Sequence, residues 1–240
     1  MITLKSLIFT VLLYLESAVI FICLFPLAFF PRRITLFIPI LWTKAIRFTL
    51  AAVCQIKIKV EGLENLPKQN GYIIASKHQS AMETLLFHSL VPNVFYILKQ
   101  SLMWLPLANL YAWRTGCIPI DRKGGTTTMR KMLNKASKRL KEGMNLIIFP
   151  EGTRVPPTEK KHYSPGVAFL YEQCKVPVVP VALNTGVFWP KNSFMKYPGT
   201  VIVRFLPPIQ PNLEKRQFLQ QLESRIETEQ DKLQNHWIKK

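Results

Sequence analysis

Hydrophobic residues fill the amino-terminal quarter of the chain almost without interruption, in two segments. Glu16 is the only charged residue in segment 6–30, and Lys44 and Arg47 are the only ones in segment 35–53. The first segment is long enough to cross a bilayer with some tilt. Each charge inside these segments costs free energy at a bilayer centre. The pattern therefore favours a helical hairpin that dips into one leaflet over a helix that spans the membrane.

Both topologies remain open on this pattern. A spanning first segment leaves Arg32, Arg33 and the basic remainder of the chain on the cytoplasmic side, as the positive-inside rule prefers. A hairpin that turns near Pro31 lays its basic face on the lipid headgroups instead. In the hairpin, Glu16 falls roughly opposite Arg47, and one hypothesis is that these two side chains form an ion pair that holds the hairpin together. Separate snorkelling of each charge to the interface is the alternative.

The rest of the chain alternates short apolar runs with amphipathic stretches. Residues 55–60 alternate polar and apolar positions, which indicates a half-buried strand. Residues 146–149 are apolar throughout, as expected for a central strand of a covered sheet. Further strands are predicted at 72–75, 94–98, 117–120, 178–182 and 201–205, with helices at 126–141, 165–174 and 213–237 and one or two short helices within 102–111.

Strands that alternate with helices predict the α/β class. We expect a mixed, mostly parallel sheet covered by helices, with an N-terminal hydrophobic helical hairpin. The chain is accordingly divided into a membrane-associating hairpin, residues 1–54, and an α/β domain, residues 55–240.

Composition narrows the range of partners. The 240-residue chain is 48% hydrophobic, which suits one domain with a large buried core and excludes a disordered chain. Its formal net charge of +18 implies an anionic partner: a membrane surface, a phosphorylated substrate, an acidic carrier protein or a nucleic acid. The four cysteines are far apart and have no metal-ligand spacing, so buried, reduced thiols are expected rather than a disulfide or zinc site.

Polar residues follow four of the predicted strands directly. Because strand ends in an α/β sheet gather around one cleft, these residues are expected to form one site. In chain order they are His78 with Glu83, Lys99, Asp121 with Arg122, and Glu151 to Arg154.

His78 and Glu83 are the strongest candidates for chemistry. Five residues place them about 140° apart around a regular helix, so they cannot meet on one helical face. They can meet if His78 lies in the loop before the helix and Glu83 in its first turn. A carboxylate on one ring nitrogen fixes the tautomer and raises the basicity of the other, which makes a general base. On spacing alone, a structural histidine that caps the helix is the alternative, and Lys77 attracts anions in either case.

Residues 149–154 form the second candidate constellation. Gly152 permits backbone angles that point successive N–H groups at an anion, and Arg154 carries a planar fork that matches a phosphate. Glu151 is expected to orient that fork or to bind a hydroxyl. A tight turn with a solvated arginine is the alternative, as it is for the basic residues 121–125. The chain has no P-loop, no GxGxxG after a strand and no GxSxG elbow, so the corresponding nucleotide-binding and hydrolase sites are not predicted.

Together these residues resemble the 1-acylglycerol-3-phosphate O-acyltransferase family of glycerolipid acyltransferases, which carries four ordered blocks. The first is a histidine and, after four intervening residues, an acidic residue that is usually Asp; here they are His78 and Glu83. The others correspond to residues 116–122, 149–154 and 176–182, and block three matches fully. The extra methylene of Glu83 extends the reach of its carboxylate, which can still orient His78 if the helix lies slightly deeper or begins at a different residue.

The resemblance implies acylation of the 2-hydroxyl of lysophosphatidate to give phosphatidate, with acyl-CoA or acyl carrier protein as the donor. His78 is then the base that takes the hydroxyl proton, and Glu83 orients it and stabilises the imidazolium. No metal, no redox cofactor and no covalent acyl-enzyme are implied. The implied substrate-binding residues are Lys99, Arg122, Glu151, Gly152, Thr153 and Arg154.

The same resemblance, with the amino-terminal segments, implies an inner (cytoplasmic) membrane protein whose catalytic domain lies on the cytoplasmic side. Membrane lipids are expected partners and nucleic acid is not, because the chain has no recognised nucleic-acid-binding module. One alternative is an acyltransferase that acts on glycerol-3-phosphate or on another lysolipid. A more distant alternative is a non-catalytic, membrane-anchored anion-binding protein.

Overall fold

The computed structural model describes residues 1–104, 108–121 and 124–238. The predicted strands and the helices predicted at 126–141, 165–174 and 213–237 are present with ends shifted by at most two residues, whereas the short helices predicted within 102–111 begin at Gln100 and end at Arg114. The helices are α1 (Ile2–Cys23), α2 (Arg32–Thr35), α3 (Phe37–Cys54), α4 (Met82–Leu90), α5 (Ala108–Arg114), α6 (Gly125–Lys141), α7 (Pro165–Cys174), α8 (Thr185–Phe188) and α9 (Lys215–Ile238), with 3-10 turns at Phe25–Phe29, Leu63–Asn65 and Gln100–Trp104. The strands are β1 (Ile56–Glu61), β2 (Ile73–Ser76), β3 (Val94–Lys99), β4 (Ile118–Ile120), β5 (Asn145–Ile148), β6 (Val178–Leu183) and β7 (Gly199–Phe205).

The strands form one sheet in the order β1-β7-β6-β2-β5-β3-β4. All neighbouring pairs are parallel except β6 and β7, which are antiparallel. This confirms the mixed, mostly parallel α/β sheet. The continuous apolar runs of β2, β5 and β6 lie at its centre because both faces of these strands are covered, whereas alternating β1 lies at an edge.

Helices bury a separate core on each face of the sheet. On one face, α1, α3 and α4 contribute buried residues that include Phe9, Leu50 and Phe87. On the other face, α6, α7 and α9 contribute buried residues that include Leu140 and Phe218. The amino-terminal hairpin therefore packs against the sheet with one side of its helices.

The other side of the hairpin exposes large apolar side chains. Val11, Tyr14, Phe29 and Phe48 are between 57% and 74% exposed, and further examples lie along both helices. The helical segments 2–23 and 32–54 are long and apolar enough to cross a membrane, judged by length and composition. Contiguous exposed apolar surface of this kind is unusual on a water-soluble monomer and suggests membrane association.

The hypothesis of an ion pair between Glu16 and Arg47 is wrong. Glu16 accepts a hydrogen bond from the Thr49 hydroxyl, and the Arg47 guanidinium donates to the Ser89 hydroxyl at 3.2 Å. Positions 47 and 49 are two residues apart, which is about 200° around a helix. Thr49 therefore faces α1 while Arg47 faces α4. The hypothesis used only the number of residues between each position and the turn near Pro31, which does not determine how α3 is rotated about its axis.

Candidate active site

Four parallel strands bring the predicted polar residues to one edge of the sheet. Strands β2, β5, β3 and β4 are consecutive neighbours, so their carboxyl ends lie side by side. His78 comes two residues after β2, Glu151 three after β5 and Asp121 directly after β4, while Lys99 is the last residue of β3. The gathering of strand ends expected from the sequence is therefore present among the described residues.

His78 and Glu83 meet across the junction between the β2 loop and helix α4. The His78 Nδ1 atom lies 2.8 Å from Glu83 Oε1. A carboxylate accepts hydrogen bonds, so Nδ1 carries the ring proton in the neutral tautomer and Nε2 keeps its lone pair. The His78 side chain is 15% exposed and Glu83 is fully buried, so the ring has solvent access while its partner does not.

Glu83 is held by four donors. Its Oε1 atom accepts from His78 Nδ1 and from the backbone N–H groups of Gln79 and Ser80, at 2.6 and 2.7 Å for the latter two. Its Oε2 atom accepts from the Thr185 hydroxyl at 2.7 Å. A carboxylate in the first turn of α4 also lies at the positive end of the helix dipole. These donors fix the longer glutamate side chain in place, so its carboxylate reaches His78 at normal hydrogen-bond distance.

The backbone and the back of the His78 ring are held by the segment after β5. The ring stacks on Phe149 with centroids 4.0 Å apart and planes 17° apart. The His78 N–H donates to Glu151 Oε1 at 3.3 Å, and the His78 carbonyl accepts from the Val155 N–H at 2.7 Å. Two of the predicted blocks therefore build one rigid unit around the histidine.

A cavity of about 720 Å³ opens beside this unit, and His78 is part of its wall. Its position between α6, α7 and the ends of β3, β4 and β5 gives it largely apolar walls. Gly152 and Arg130 are also among the residues that line this cavity. The apolar walls include Ile97, Ile120, Met129, Leu133, Ile148 and Val167.

The structure separates the predicted substrate-binding residues into two groups. Gly152 has a φ of +69°, a left-handed conformation that suits glycine, and it lines the cavity beside His78. Glu151 is buried against the His78 backbone, while Thr153 and Arg154 are half-buried in the same loop. Arg154 forms no ion pair with any residue in the described ranges.

Of the two remaining candidate cations, the structure describes Lys99. Lys99 is exposed at the end of β3 and is not among the residues that line the cavity. Arg122 lies outside the described residues.

The structure corrects the expectation that Lys77 attracts an anion. Its side chain is 1% exposed, and its ammonium pairs with Glu227 at 2.6 Å and with Glu151 at 3.3 Å. It therefore cannot attract an external anion, because two internal carboxylates already neutralise it. Its position between an apolar strand and the histidine gave no indication of this pairing.

Sequence reasoning also missed Thr185 and Arg130. Thr185 follows β6 and lies 102 residues from its partner Glu83, and no local pattern links the two. Arg130 had a detectable signal, because Thr126, Met129, Arg130 and Leu133 recur at the spacing of one helical face, and all four line the cavity.

The fold and site together define an α/β enzyme with a histidine–carboxylate pair at an apolar cavity, and comparisons with known proteins agree with this class. A family model described as Acyltransferase matches residues 57–184, which is more than half of the chain. The chain belongs to this acyltransferase family.

Individual relatives carry more specific names. A protein of Pseudomonas aeruginosa named 1-acyl-sn-glycerol-3-phosphate acyltransferase is 32% identical over 189 residues, which is 78% of this chain and 72% of that protein. Mouse 1-acyl-sn-glycerol-3-phosphate acyltransferase alpha is 30% identical over 157 residues, 64% of this chain and 55% of that protein. The match to the mammalian relative thus spans little more than half of its length.

A solved structure supports the fold over the whole chain. The crystal structure of the 1-acyl-sn-glycerophosphate (LPA) acyltransferase PlsC from Thermotoga maritima superposes with a TM-score of 0.83. The superposition covers 99% of each chain at 24% sequence identity. The amino-terminal helices are included in this coverage, so the arrangement of hairpin and sheet is shared.

Proposed function

We propose that the protein transfers a fatty acyl group from an acyl thioester to the 2-hydroxyl of lysophosphatidate and so makes phosphatidate. The observation that carries this proposal is the His78–Glu83 pair at the wall of a large apolar cavity. The names of the relatives supply the identity of the acceptor. The donor, acyl-CoA or acyl carrier protein, is a co-substrate, and the chemistry below needs no cofactor.

The geometry assigns a role to each ring nitrogen. Nδ1 donates to Glu83, so Nε2 accepts the proton of the 2-hydroxyl as its oxygen attacks the thioester carbonyl. A new ester C–O bond forms, and the C–S bond breaks as the tetrahedral intermediate collapses. The thiolate then takes up the proton that the imidazolium releases. During this sequence the Glu83 carboxylate stabilises the positive charge on the ring.

The phosphate of the acceptor requires cations close to the histidine. Arg154 supports this role, because it lies in the loop that holds His78 and has no internal ion pair within the described part of the chain. Arg130 is added to the candidates because it lines the cavity. Lys99 and Arg122 remain proposals from the resemblance, and Glu151, Gly152 and Thr153 are proposed to shape this pocket.

The cavity is proposed to hold a fatty acyl chain. Its volume of about 720 Å³ is within the usual range for small-molecule sites, which is roughly 300–1,000 Å³. Apolar walls bury the methylene groups of an acyl chain favourably. Because His78 contributes to the wall, a chain that fills the cavity leaves its thioester near the base.

Residues 1–54 are proposed to hold the enzyme on the inner face of the cytoplasmic membrane, with the 55–240 domain in the cytoplasm. The exposed apolar side of the hairpin supports this arrangement. A groove beside Phe48 is lined by Lys44, Arg47 and Lys57, which suits the anionic headgroup layer next to an apolar surface.

An acceptor screen tests the proposed function. Purified full-length protein is mixed with lysophosphatidate, glycerol-3-phosphate or a neutral lysolipid, and each acceptor is offered with acyl-CoA and with acyl carrier protein as the donor. We expect phosphatidate from lysophosphatidate, with slower or no acylation of the others. Preferred acylation of glycerol-3-phosphate or of another lysolipid contradicts the proposed acceptor, and no transfer to any acceptor contradicts the enzymatic function.

A further inference from the structure

A buried charge network lies behind His78, and the acid–base chemistry proposed above does not involve it. Lys77 precedes the histidine, and its side chain is 1% exposed. Its ammonium lies 2.6 Å from Glu227 and 3.3 Å from Glu151. Glu227 belongs to helix α9, beyond the 57–184 segment that the family model matches, so it is part of none of the four sequence blocks.

The network reaches the histidine through Glu151. One oxygen, Oε1 of Glu151, faces both the Lys77 ammonium and the His78 backbone N–H, each at 3.3 Å. To accept the N–H with full strength, Glu151 must be ionised. Burial raises the pKa of Glu151, and the charge of Lys77 opposes that rise. The ammonium therefore favours the ionised state in which the carboxylate holds the histidine backbone.

The other end of the network is anchored on α9. Oε1 of Glu227 accepts from Lys77 and also from the Tyr163 hydroxyl at 2.9 Å. Burial raises the pKa of Tyr163, so its phenol stays protonated and donates to this carboxylate. Isolated buried charges are costly, which means that Lys77 needs these acidic partners to remain an ammonium.

We propose that Lys77 and Glu227 are positioning residues for the acyl transfer: Glu227 anchors the Lys77 ammonium, and Lys77 holds Glu151 as the acceptor of the His78 N–H. This inference rests on the proposed function, and it adds the carboxyl-terminal helix to the machinery that sets the position of the base. Three variants distinguish this role from that of a network that only stabilises the fold.

Lys77→Met removes the charge and retains an unbranched side chain of similar length. Without the cation, the pKa of Glu151 rises further, so a larger fraction is protonated at neutral pH. We expect kcat to fall by up to ~10²-fold through displacement of the histidine, with the KM for the acceptor changed less than about threefold. We also expect the low-pH limb of the kcat profile to move to higher pH.

Glu227→Gln shifts the profile in the other sense. The glutamine oxygen can still accept from Lys77 and Tyr163, but one negative charge near Glu151 is lost. Loss of a like charge favours ionisation of Glu151. The low-pH limb is therefore expected to move to lower pH, opposite to its movement in Lys77→Met. A fold-stabilising network has no reason to move the limb in opposite directions.

Lys160→Met is the matched control. Lys160 and Asp231 form an exposed ion pair at 2.7 Å that also joins the segment before α7 to α9. The control removes a lysine and an ion pair to the same helix without touching Glu151. We expect a wild-type kcat and pH profile from it, because exposed pairs contribute little.

The deciding measurement compares kcat, KM and the pH profile of these three variants and of Lys77→Met in a Glu151→Gln background. If Lys77 acts through Glu151, the added Lys77→Met change costs no further kcat there. A wild-type profile for Lys77→Met, or an equal loss in both backgrounds with an unmoved pH limb, overturns the inference. If Lys77→Met does not fold, Glu227→Gln decides: movement of its limb to lower pH supports the proposal, and an unmoved limb or movement to higher pH overturns it.

The wild-type protein separates this inference from the proposed function. Wild type that makes no phosphatidate defeats the proposed function before any variant is compared. Active wild type with an unaffected Lys77→Met variant defeats only the positioning role.

Discussion

Two buried carboxylates hold His78, and their surroundings differ. Glu83 holds the ring and receives its other hydrogen bonds from two backbone N–H groups and the Thr185 hydroxyl. Glu151 holds the backbone N–H and faces the Lys77 ammonium, and its Oε2 atom has no hydrogen-bond partner among the described residues. The difference shows two ways to keep a carboxylate in a protein interior: many neutral donors, or one buried cation.

The two environments suit two tasks. Neutral donors at the start of α4 fix the orientation of Glu83 without a competing cation, so the carboxylate remains free to stabilise a charge that appears on His78. The cation beside Glu151 pairs with its Oε1 atom, which suits a structural contact with the main chain. Substitution of His78 itself, and then of the residues that hold it, tests this division of tasks.

Removal of the His78 ring has the largest expected effect on the rate. His78→Ala takes away the base, and loss of a positioned general base typically costs ~10²–10⁴ in rate. The fold and the attachment to vesicles should be unchanged, because the ring is not part of either buried core. Rates of phosphatidate formation, circular dichroism and vesicle co-sedimentation check this, and near-normal turnover contradicts the mechanism.

Removal of the Glu83 charge comes second. Glu83→Gln can keep most of the hydrogen bonds but cannot offer a negative charge to the imidazolium. A hydrogen bond to a charged group is worth about 1.5–3 kcal/mol, which corresponds to roughly 10- to 150-fold in kcat. Glu83→Asp is the control, because it keeps the charge and shortens the reach. The division of roles fails if Glu83→Gln has the kcat of the wild type.

Removal of a neutral donor affects stability more than rate. Thr185→Val takes the hydroxyl from Glu83 Oε2 and leaves a buried acceptor unpaired, at a cost of about 1–3 kcal/mol. Each kcal/mol lowers the unfolding midpoint of a chain of this size by about 2–4 °C. Thr185→Ser keeps the hydroxyl and should retain most of the stability. Equal midpoints for the valine and serine variants contradict this account of Glu83.

The smallest effect is the pH dependence that Glu151 gives to stability. Burial raises the pKa of Glu151 in the folded protein above its unfolded value of about 4.3. Between these two pKa values, Glu151 keeps its proton in the folded protein and loses it in the unfolded chain. The contribution of Glu151 to the free energy of unfolding therefore declines as the pH rises through the folded pKa. Glu151→Gln does not titrate and lacks this decline.

Unfolding free energies of wild type and Glu151→Gln between pH 4 and 7 measure this effect. The difference should move in favour of the variant as the pH rises. A difference that is constant, or that moves the other way, contradicts the raised pKa.

Local patterns predicted much of this molecule. The strands could be predicted because burial on one or both faces sets the spacing of apolar residues, and the gathering of strand ends follows from parallel pairing. The contact between His78 and Glu83 could be predicted as possible, because both lie on one loop–helix junction. The catalytic role itself rests on the family resemblance and remains a proposal.

Contacts between distant segments could not be predicted. Thr185 and Glu227 come from β6–α8 and α9, and only the folded sheet brings them to the first block. The wrong pairing of Glu16 with Arg47 has the same origin, because the rotation of α3 is set by its packing on α4 and β1. Cavity walls likewise depend on which faces of α6 and α7 remain uncovered.

The tautomer of His78 decides whether its Nε2 atom can act as the base. The chain has four histidines, so the ring nitrogens of uniformly ¹⁵N-labelled protein can be resolved by long-range ¹H–¹⁵N correlation, with His78→Ala identifying the signals of interest. At a pH where the ring is neutral, we predict a protonated Nδ1, bonded to Glu83, and an unprotonated Nε2. A proton on Nε2 instead contradicts the account, because the nitrogen left for the substrate hydroxyl is then not a base.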